Sequence, residues 1–247
     1  MADAPERPWL VALEGPWASG KSSVAAALAR HLDAEVLPEA YDRLGRTPDL
    51  DVRSPGELAE LERTLLDEES RRWLEAGQRR DSGRSVVLDT GLLGPLTYTF
   101  GLRELGLAPD DLPARLAAEA DERLADGRFG LPDLTVFLDV DEATADWRAS
   151  QDPRGHPPAL GTRHRRVARV ERQLYLHGFP RYLPGRFASA DGEGAVDRVA
   201  GRILELLELA RPATPAEPEE ARRLLQLFEE RAPAGAGAFA DTGEGNL

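Results

Sequence analysis

The chain of 247 residues contains no cysteine, and only one of its 31 basic residues is a lysine. Without cysteine there are no disulfide bonds and no zinc sites built from thiolates. The first residues show no basic segment followed by a long apolar run, so we expect no signal peptide. No apolar stretch reaches the length of a membrane span. We therefore expect a cytoplasmic protein without a membrane partner.

The acidic balance of the sequence restricts its partners. Lysine and arginine together number 31 against 44 aspartates and glutamates, and the formal net charge is −13. Such a chain repels the phosphate backbone of nucleic acid, so we expect no nucleic-acid polymer as a partner. The hydrophobic fraction of 41% suffices for a core. The length fits one α/β domain with appendages, or two small domains.

Short apolar runs alternate with stretches of helical periodicity along most of the chain. The runs predict strands at 9–13, 34–37, 85–88 and 134–138, with a weaker edge strand at 185–190. Residues 151–162 are rich in glycine and proline and predict a loop, which a helix at 164–177 follows. The repeated strand–helix order indicates a mostly parallel five-stranded sheet with helices on both faces.

Residues 15–22 read GPWASGKS and fit the pattern G-x-x-x-x-G-K-[ST] of a phosphate-binding P-loop. Glycines allow the backbone N–H groups of such a loop to face inward, and the N-terminus of the following helix adds partial positive charge. The pattern predicts that Lys21 reaches the β- and γ-phosphates of ATP and that Ser22 binds Mg²⁺. The other nucleotide contacts predicted in the loop are Gly15, Ala18, Ser19, Gly20 and Ser23.

Two large classes of P-loop protein do not fit the sequence. A GTPase needs an N-K-x-D motif for guanine, and there is no second lysine. A helicase or motor ATPase has an apolar strand that ends in Asp-Glu. Residues 88–90 read LDT, and residues 138–142, LDVDE, match only loosely. The sequence therefore favours a kinase of small molecules or nucleotides, with the three-layer α/β sandwich of P-loop NTPases.

Four segments, in this order, resemble the thymidylate kinase and deoxynucleoside kinase branch of P-loop kinases. They are LVALEGPWASGKSS at 10–23, VLPEAYDRL at 36–44, VVLDTGLLGPLTYTFGL at 86–102 and DLTVFLDVDEATADWR at 133–148. The resemblance implies ATP and Mg²⁺ as cofactors, a nucleoside-like acceptor and an Arg-rich lid at about 150–172.

Two features depart from that branch. Thr90 stands where the branch carries an arginine that contacts the acceptor phosphate or the 5′ region. Pro16 and Trp17 occupy P-loop positions that read Asp/Glu-Gly in thymidylate kinases. Both departures argue against thymidylate as the acceptor.

Beyond the kinase domain, which we place at 1–210, the composition changes. Residues 211–247 predict a Pro- and Glu-rich linker, one amphipathic helix at 219–230 and a disordered tail. The apolar stripe of this helical appendage must be buried on the same chain or on a partner subunit. The sequence therefore leaves a homodimer open.

Acidic residues that follow predicted strands are candidates for catalysis. Asp89 ends the third strand, where a carboxylate holds Mg²⁺ directly or through water; its alternative role is to cap the next helix. Glu39 follows the second strand, where the resemblance implies a carboxylate that accepts the proton of the attacking hydroxyl. The alternative interpretation is that Glu39 is a solvated carboxylate in a loop. Asp139 and Asp141 fit helix capping better than metal binding.

Arginines in and near the predicted lid are the remaining candidates. Closure of the lid would place Arg163 and Arg166 on the transferred phosphoryl group, where charge develops in the transition state. Arg148 is a further candidate for nucleotide binding. The alternative is a solvated basic helix face paired with nearby acids.

The sequence as a whole predicts an ATP-dependent phosphotransferase that transfers the γ-phosphate in line, with Mg²⁺, to a nucleoside or nucleotide. One alternative acceptor is an antibiotic, a sugar or an amino-acid derivative, which the threonine at position 90 favours. A second alternative is a nucleotide-binding regulatory protein with little turnover.

Overall fold

Five parallel strands form the centre of the protein. The computed structural model describes residues 7–45, 54–151, 158–210 and 218–229, with the backbone alone for 158–161. The strands are β1 (Leu10–Glu14), β2 (Glu35–Leu37), β3 (Val86–Asp89), β4 (Leu134–Asp139) and β5 (Phe187–Asp191), in the spatial order β2-β3-β1-β4-β5. All four pairings are parallel. The predicted sheet, with its fifth strand at an edge, is confirmed.

Helices cover both faces of the sheet. They are α1 (Lys21–Leu32), α2 (Ala40–Arg43), α3 (Pro55–Asp81), α4 (Gly94–Glu104), α5 (Leu112–Ala125), α6 (Glu142–Ser150), α7 (Pro158–Gln173), α8 (Phe179–Tyr182), α9 (Val196–Ala210) and α10 (Pro218–Glu229). Successive side chains of a strand point to opposite faces. Val11 and Leu13 therefore pack with α1 and α9, whereas Leu10 and Ala12 pack with α3, α4 and α5. This gives the three layers that the sequence predicts.

The register of the parallel strands brings their carboxyl ends to one edge of the sheet. Leu13 lies beside Asp89, and Glu14 lies beside Phe137. The P-loop leaves β1 at this edge, and Glu39 follows β2 there. In open α/β sheets this edge is where ligands bind. The sheet therefore collects the predicted site residues of the first three strands in one place.

The C-terminal helix α10 packs on the same chain. Leu224 and Phe228 are fully buried in the core layer that contains α4 and α5. The ring of Phe228 meets that of Phe100 edge-on at 6.1 Å, and Arg222 lies 3.0 Å from a carboxylate oxygen of Asp121 on α5. The apolar stripe is thus covered without a second subunit. The predicted linker and tail lie outside the described residues.

One predicted loop is partly helical. Helix α7 begins at Pro158, within the segment 151–162, because proline needs no N–H partner in a first helical turn. Residues 152–157 lie outside the described part of the chain. The predicted helix 164–177 changes after Gln173 into a π-helical turn, Leu174–Gly178. This wider turn carries Tyr175, whose ring stacks on Phe137 at 4.9 Å, towards the P-loop side of β4.

No helix in the described part of the chain is both long enough and apolar enough to cross a bilayer.

Candidate active site

The P-loop joins β1 to α1 through a backbone that glycine permits. Gly15 has φ 147° and Gly20 has φ 93°, both unfavourable for residues with a side chain. A Cβ on Gly15 would lie 2.9 Å from the carbonyl oxygen of Leu138. Ala18 also adopts a left-handed conformation, with φ 61°. The backbone conformation of the loop therefore explains the glycines at positions 15 and 20.

The side chain of Lys21 is hydrogen-bonded to the first residues of this loop. Its Nζ donates hydrogen bonds to the carbonyl oxygens of Gly15, at 2.9 Å, and Pro16, at 3.1 Å. Ser22 and Ser23 are exposed in the first turn of α1, which contains no acidic residue. The partial positive charge of this helix end is thus not neutralised within its own first turn. The hydroxyl of Ser19 is buried and has no hydrogen-bond partner among the described residues.

Asp89 lies at the end of β3, next to the P-loop. It is 5% exposed, and its Oδ1 is buried without a hydrogen-bond partner in the described part of the chain. Helix α4 begins only at Gly94, and its N-cap position is Leu93, so Asp89 does not cap it. No group of three or more His, Cys, Asp or Glu side chains among the described residues has the arrangement of a metal site. Mg²⁺ needs no such cage, since it takes one or two protein oxygens together with phosphates and water.

Thr90 has a conformation that is rare for a β-branched residue. Its φ is 66°, in the left-handed region. Its hydroxyl donates to Glu39 at 3.2 Å, and its carbonyl oxygen accepts from Arg72 at 2.9 Å. Such strain costs of order 1–3 kcal/mol and occurs preferentially at functional sites. The first contact holds Glu39 at the end of β3, and the second ties the backbone of Thr90 to α3.

Arg72 of α3 is a site residue that the sequence did not reveal. It is fully buried. Its Nη2 donates to the carbonyl oxygens of Leu37, Asp89 and Thr90 at 3.3, 2.9 and 2.9 Å, and its Nη1 lies 2.5 Å from Glu69. The guanidinium therefore ties β2 to β3 at their carboxyl ends. The sequence signal that could have identified Arg72 is its position within the apolar face of a helix, because a charge there requires buried partners.

The predicted arginines occupy different environments. Arg148 of α6 donates to the carbonyl oxygens of Ser19, at 2.7 Å, and Gly192, at 3.0 Å, so it joins the P-loop to the segment after β5. Arg163 of α7 is partly buried and lies near Tyr41 and Tyr98. Burial raises the pKa values of both tyrosines, and the positive charge of Arg163 acts in the opposite direction. Arg166 is exposed.

The other polar residues beside β4 and along α7 form ion pairs or caps. Arg172 pairs with Asp139 through two contacts of 2.7 and 2.8 Å. Asp141 accepts from the N–H of Thr144 at 2.6 Å and so caps α6, as the sequence predicts. Arg169 pairs with Glu142 on α6. The Arg169 pair therefore joins α7 to α6, and the Arg172 pair joins α7 to the end of β4.

Glu14, immediately before the P-loop, is a buried carboxyl. It is 4% exposed, and burial raises its pKa to about 8, against the opposing hydrogen bond of Tyr175 and the charge of Lys21. A Cβ on Gly91 would lie 2.0 Å from Oε1 of Glu14. Glycine at position 91 is therefore required by the space that this carboxyl occupies.

The architecture around this site has known counterparts. Over 81% of this chain and 99% of the other, the structure resembles deoxyadenosine kinase from M. mycoides with bound dATP, with a TM-score of 0.59 and 15% identity. It also resembles thymidylate kinase from Candida albicans, with a TM-score of 0.56 and 17% identity over 82% and 92% of the two chains. The fold is that of the P-loop nucleoside and nucleotide kinases. The resemblance that the sequence motifs indicate is thereby confirmed.

Sequence comparison also finds similarity to a curated protein. Cytidylate kinase of Halobacterium salinarum is 32% identical over 117 residues, which are 46% of this chain. The match spans 59% of the length of that relative. No family model matches the sequence.

Proposed function

We propose that this protein is an ATP-dependent phosphotransferase that phosphorylates a small molecule of the nucleoside or nucleotide type. The observation that carries the proposal is the P-loop beside a buried carboxylate oxygen of Asp89 that has no hydrogen-bond partner among the described residues. The kinase fold and the similarity to a cytidylate kinase support the reaction class.

The donor phosphates would be bound by the P-loop. The N–H groups of 15–23 and the N-terminus of α1 suit the phosphates. Lys21 exchanges its bonds to two carbonyl oxygens for bonds to the β- and γ-phosphates. Arg148 holds the loop in place through the Ser19 carbonyl and would contribute positive charge near the nucleotide.

The metal would lie between Ser22 and Asp89. The exposed hydroxyl at the start of α1 and the buried Oδ1 at the end of β3 provide the oxygen ligands that Mg²⁺ prefers. Bound there, Mg²⁺ would supply positive charge to the donor phosphates. It would also give Asp89 a partner for an oxygen that has none among the described residues.

Glu39 would act on the acceptor. The Thr90 hydroxyl holds its carboxylate at the carboxyl end of β2. As the acceptor oxygen bonds to the γ-phosphorus, the bond from that phosphorus to the β–γ bridging oxygen breaks, and the acceptor proton passes to Glu39. Arg163 and Arg166 on α7 would stabilise the charge that develops on the transferred group.

Transfer of labelled γ-phosphate from ATP to a panel of nucleosides and nucleoside monophosphates tests this function. We expect Mg²⁺-dependent transfer by the wild-type protein and a loss of about 10²–10³ in kcat for Lys21→Ala, by analogy with other groups that stabilise transition-state charge. Arg84→Ala, which removes an exposed charge before the opposite end of β3, is the control and should keep its activity. Equal activity of Lys21→Ala and wild type would refute the mechanism.

A further inference from the structure

Glu14, the last residue of β1, is a buried carboxyl to which the reaction proposed above assigns no role. It is 4% exposed, and there is no room for a Cβ between its Oε1 and Gly91. Side chains alternate along a strand, so Glu14 lies on the face that Ala12 shares with α3, α4 and α5. Asp89 lies on the opposite face, with Val87 and α1. The sheet therefore separates Glu14 from the carboxylate proposed to bind the metal.

Four titratable side chains from four different elements act on Glu14. They are Lys21 of α1, Glu69 of α3, Glu171 of α7 and Tyr175 of the π-helical turn. The hydroxyl of Tyr175 is hydrogen-bonded to Glu14 and lies 3.5 Å from Oγ1 of Thr97, which donates to Glu171 at 3.1 Å. Of the four groups, Lys21 alone carries positive charge. The ammonium of the P-loop lysine is therefore the counter-ion that an ionised Glu14 would take.

Lys21 nevertheless bonds to neutral acceptors. Its Nζ donates to the carbonyl oxygens of Gly15 and Pro16 at 2.9 and 3.1 Å. Among the described residues Lys21 forms no ion pair, and Oε1 of Glu14 has no hydrogen-bond partner. An ionised carboxylate at low dielectric would attract the ammonium strongly, and buried charges are generally paired. These contacts indicate a protonated Glu14, in agreement with the burial that raises its pKa to about 8.

The protonation state of Glu14 decides what Lys21 is available for. While the carboxyl is neutral, the donor phosphates have only two carbonyl oxygens to displace from the ammonium. Once Glu14 is ionised, its carboxylate competes with the phosphates for Lys21, and its negative charge opposes theirs. Both effects weaken the binding of ATP, and both are absent as long as the carboxyl keeps its proton.

We infer that Glu14 is a positioning residue of the P-loop, whose neutral carboxyl leaves Lys21 to the donor phosphates, so that ATP binds together with a proton wherever Glu14 is ionised beforehand. This inference rests on the proposed phosphotransferase function and adds a control of donor binding to it. Glu14 acts through Lys21 and is not itself a catalytic residue.

The test measures the Kd for metal-free ATP at pH 7, 8 and 9 by calorimetry on the full chain. With a pKa of about 8 for Glu14, the Kd of wild type should rise about 10-fold between pH 7 and 9. Glu14→Gln keeps the shape of a neutral carboxyl, and its Kd should match wild type at pH 7 and rise less than about 3-fold by pH 9. Glu62→Gln is the matched control and should follow wild type. It removes a carboxyl that is 1% exposed, with a pKa also raised to about 8, on which Glu171 acts and not Lys21.

Proton uptake is a second measurement that needs no variant. At pH 8.5 about three-quarters of Glu14 is ionised before ATP binds, so titrations in two buffers of different ionisation enthalpy should show uptake of roughly 0.7 proton per ATP. This result decides the question if Glu14→Gln does not fold, since an uptake of zero overturns the inference.

The outcomes separate this inference from the function on which it rests. A wild-type Kd that does not change with pH, or a Kd of Glu14→Gln that rises as steeply as that of wild type, would overturn the role of Glu14 and leave the kinase function standing. If the folded wild-type protein binds no ATP at any of these pH values, the proposed function itself is refuted.

Discussion

The buried carboxyl of Glu62 should make the stability of this protein depend on pH in a way that one substitution removes. Its pKa is raised from 4.5 to about 8 in the folded chain. The folded state therefore binds the proton more tightly than the unfolded state does. The corresponding stability is fully present below about pH 4.5 and is lost as the pH rises through about 8.

The size of the effect follows from the two pKa values. One pKa unit corresponds to about 1.4 kcal/mol. Relative to a neutral side chain, Glu62 should lower the free energy of unfolding by about 1 kcal/mol at pH 5.5, about 3 kcal/mol at pH 7 and between about 4 and 5 kcal/mol at pH 8.5. These are upper bounds, because relaxation of the protein and entry of water weaken the desolvation.

Urea unfolding at these three pH values measures the prediction. Glu62→Gln should be more stable than wild type, and its advantage should grow by about 3 kcal/mol between pH 5.5 and 8.5. Glu60→Gln on the exposed side of α3 should follow wild type at every pH. Parallel curves for Glu62→Gln and wild type would show that the carboxyl is hydrated or ionised in the folded chain, and the reasoning would be refuted.

Three further predictions concern the metal, the core and a close contact. Asp89→Asn should weaken the Mg²⁺ dependence of activity more than metal-free ATP binding; identical Mg²⁺ titrations would remove Asp89 from the metal site. Phe228→Ala should lower the free energy of unfolding by about 3–5 kcal/mol, because the ring is fully buried; chemical denaturation checks this, and a loss below about 1 kcal/mol would contradict it. Gly91→Ala should destabilise by about 1–3 kcal/mol through its clash with Glu14, whereas Gly77→Ala, in an open helical position, should stabilise slightly; equal melting temperatures would contradict the first.

The sequence by itself determined the sheet and the P-loop, because both depend on patterns within a few consecutive residues. Apolar runs define the strands, and the backbone conformation of the loop depends on its own glycines. The prolines at 157–158 show the limit of such reasoning, since they read as loop residues although the structure places Pro158 in the first turn of α7.

Only the tertiary structure decided which side chains from distant segments meet near the carboxyl ends of the strands. Arg72 reaches the ends of β2 and β3 across 35 and 17 positions of the chain, and Thr97 meets Glu171 across 74. Glu62 reads in the sequence as one more acid on a long charged helix. Its burial follows from how α3 packs against the other helices, and no local pattern contains that information. The P-loop could therefore be predicted from sequence, whereas the contacts of Arg72, Thr97 and Glu62 depended on long-range packing.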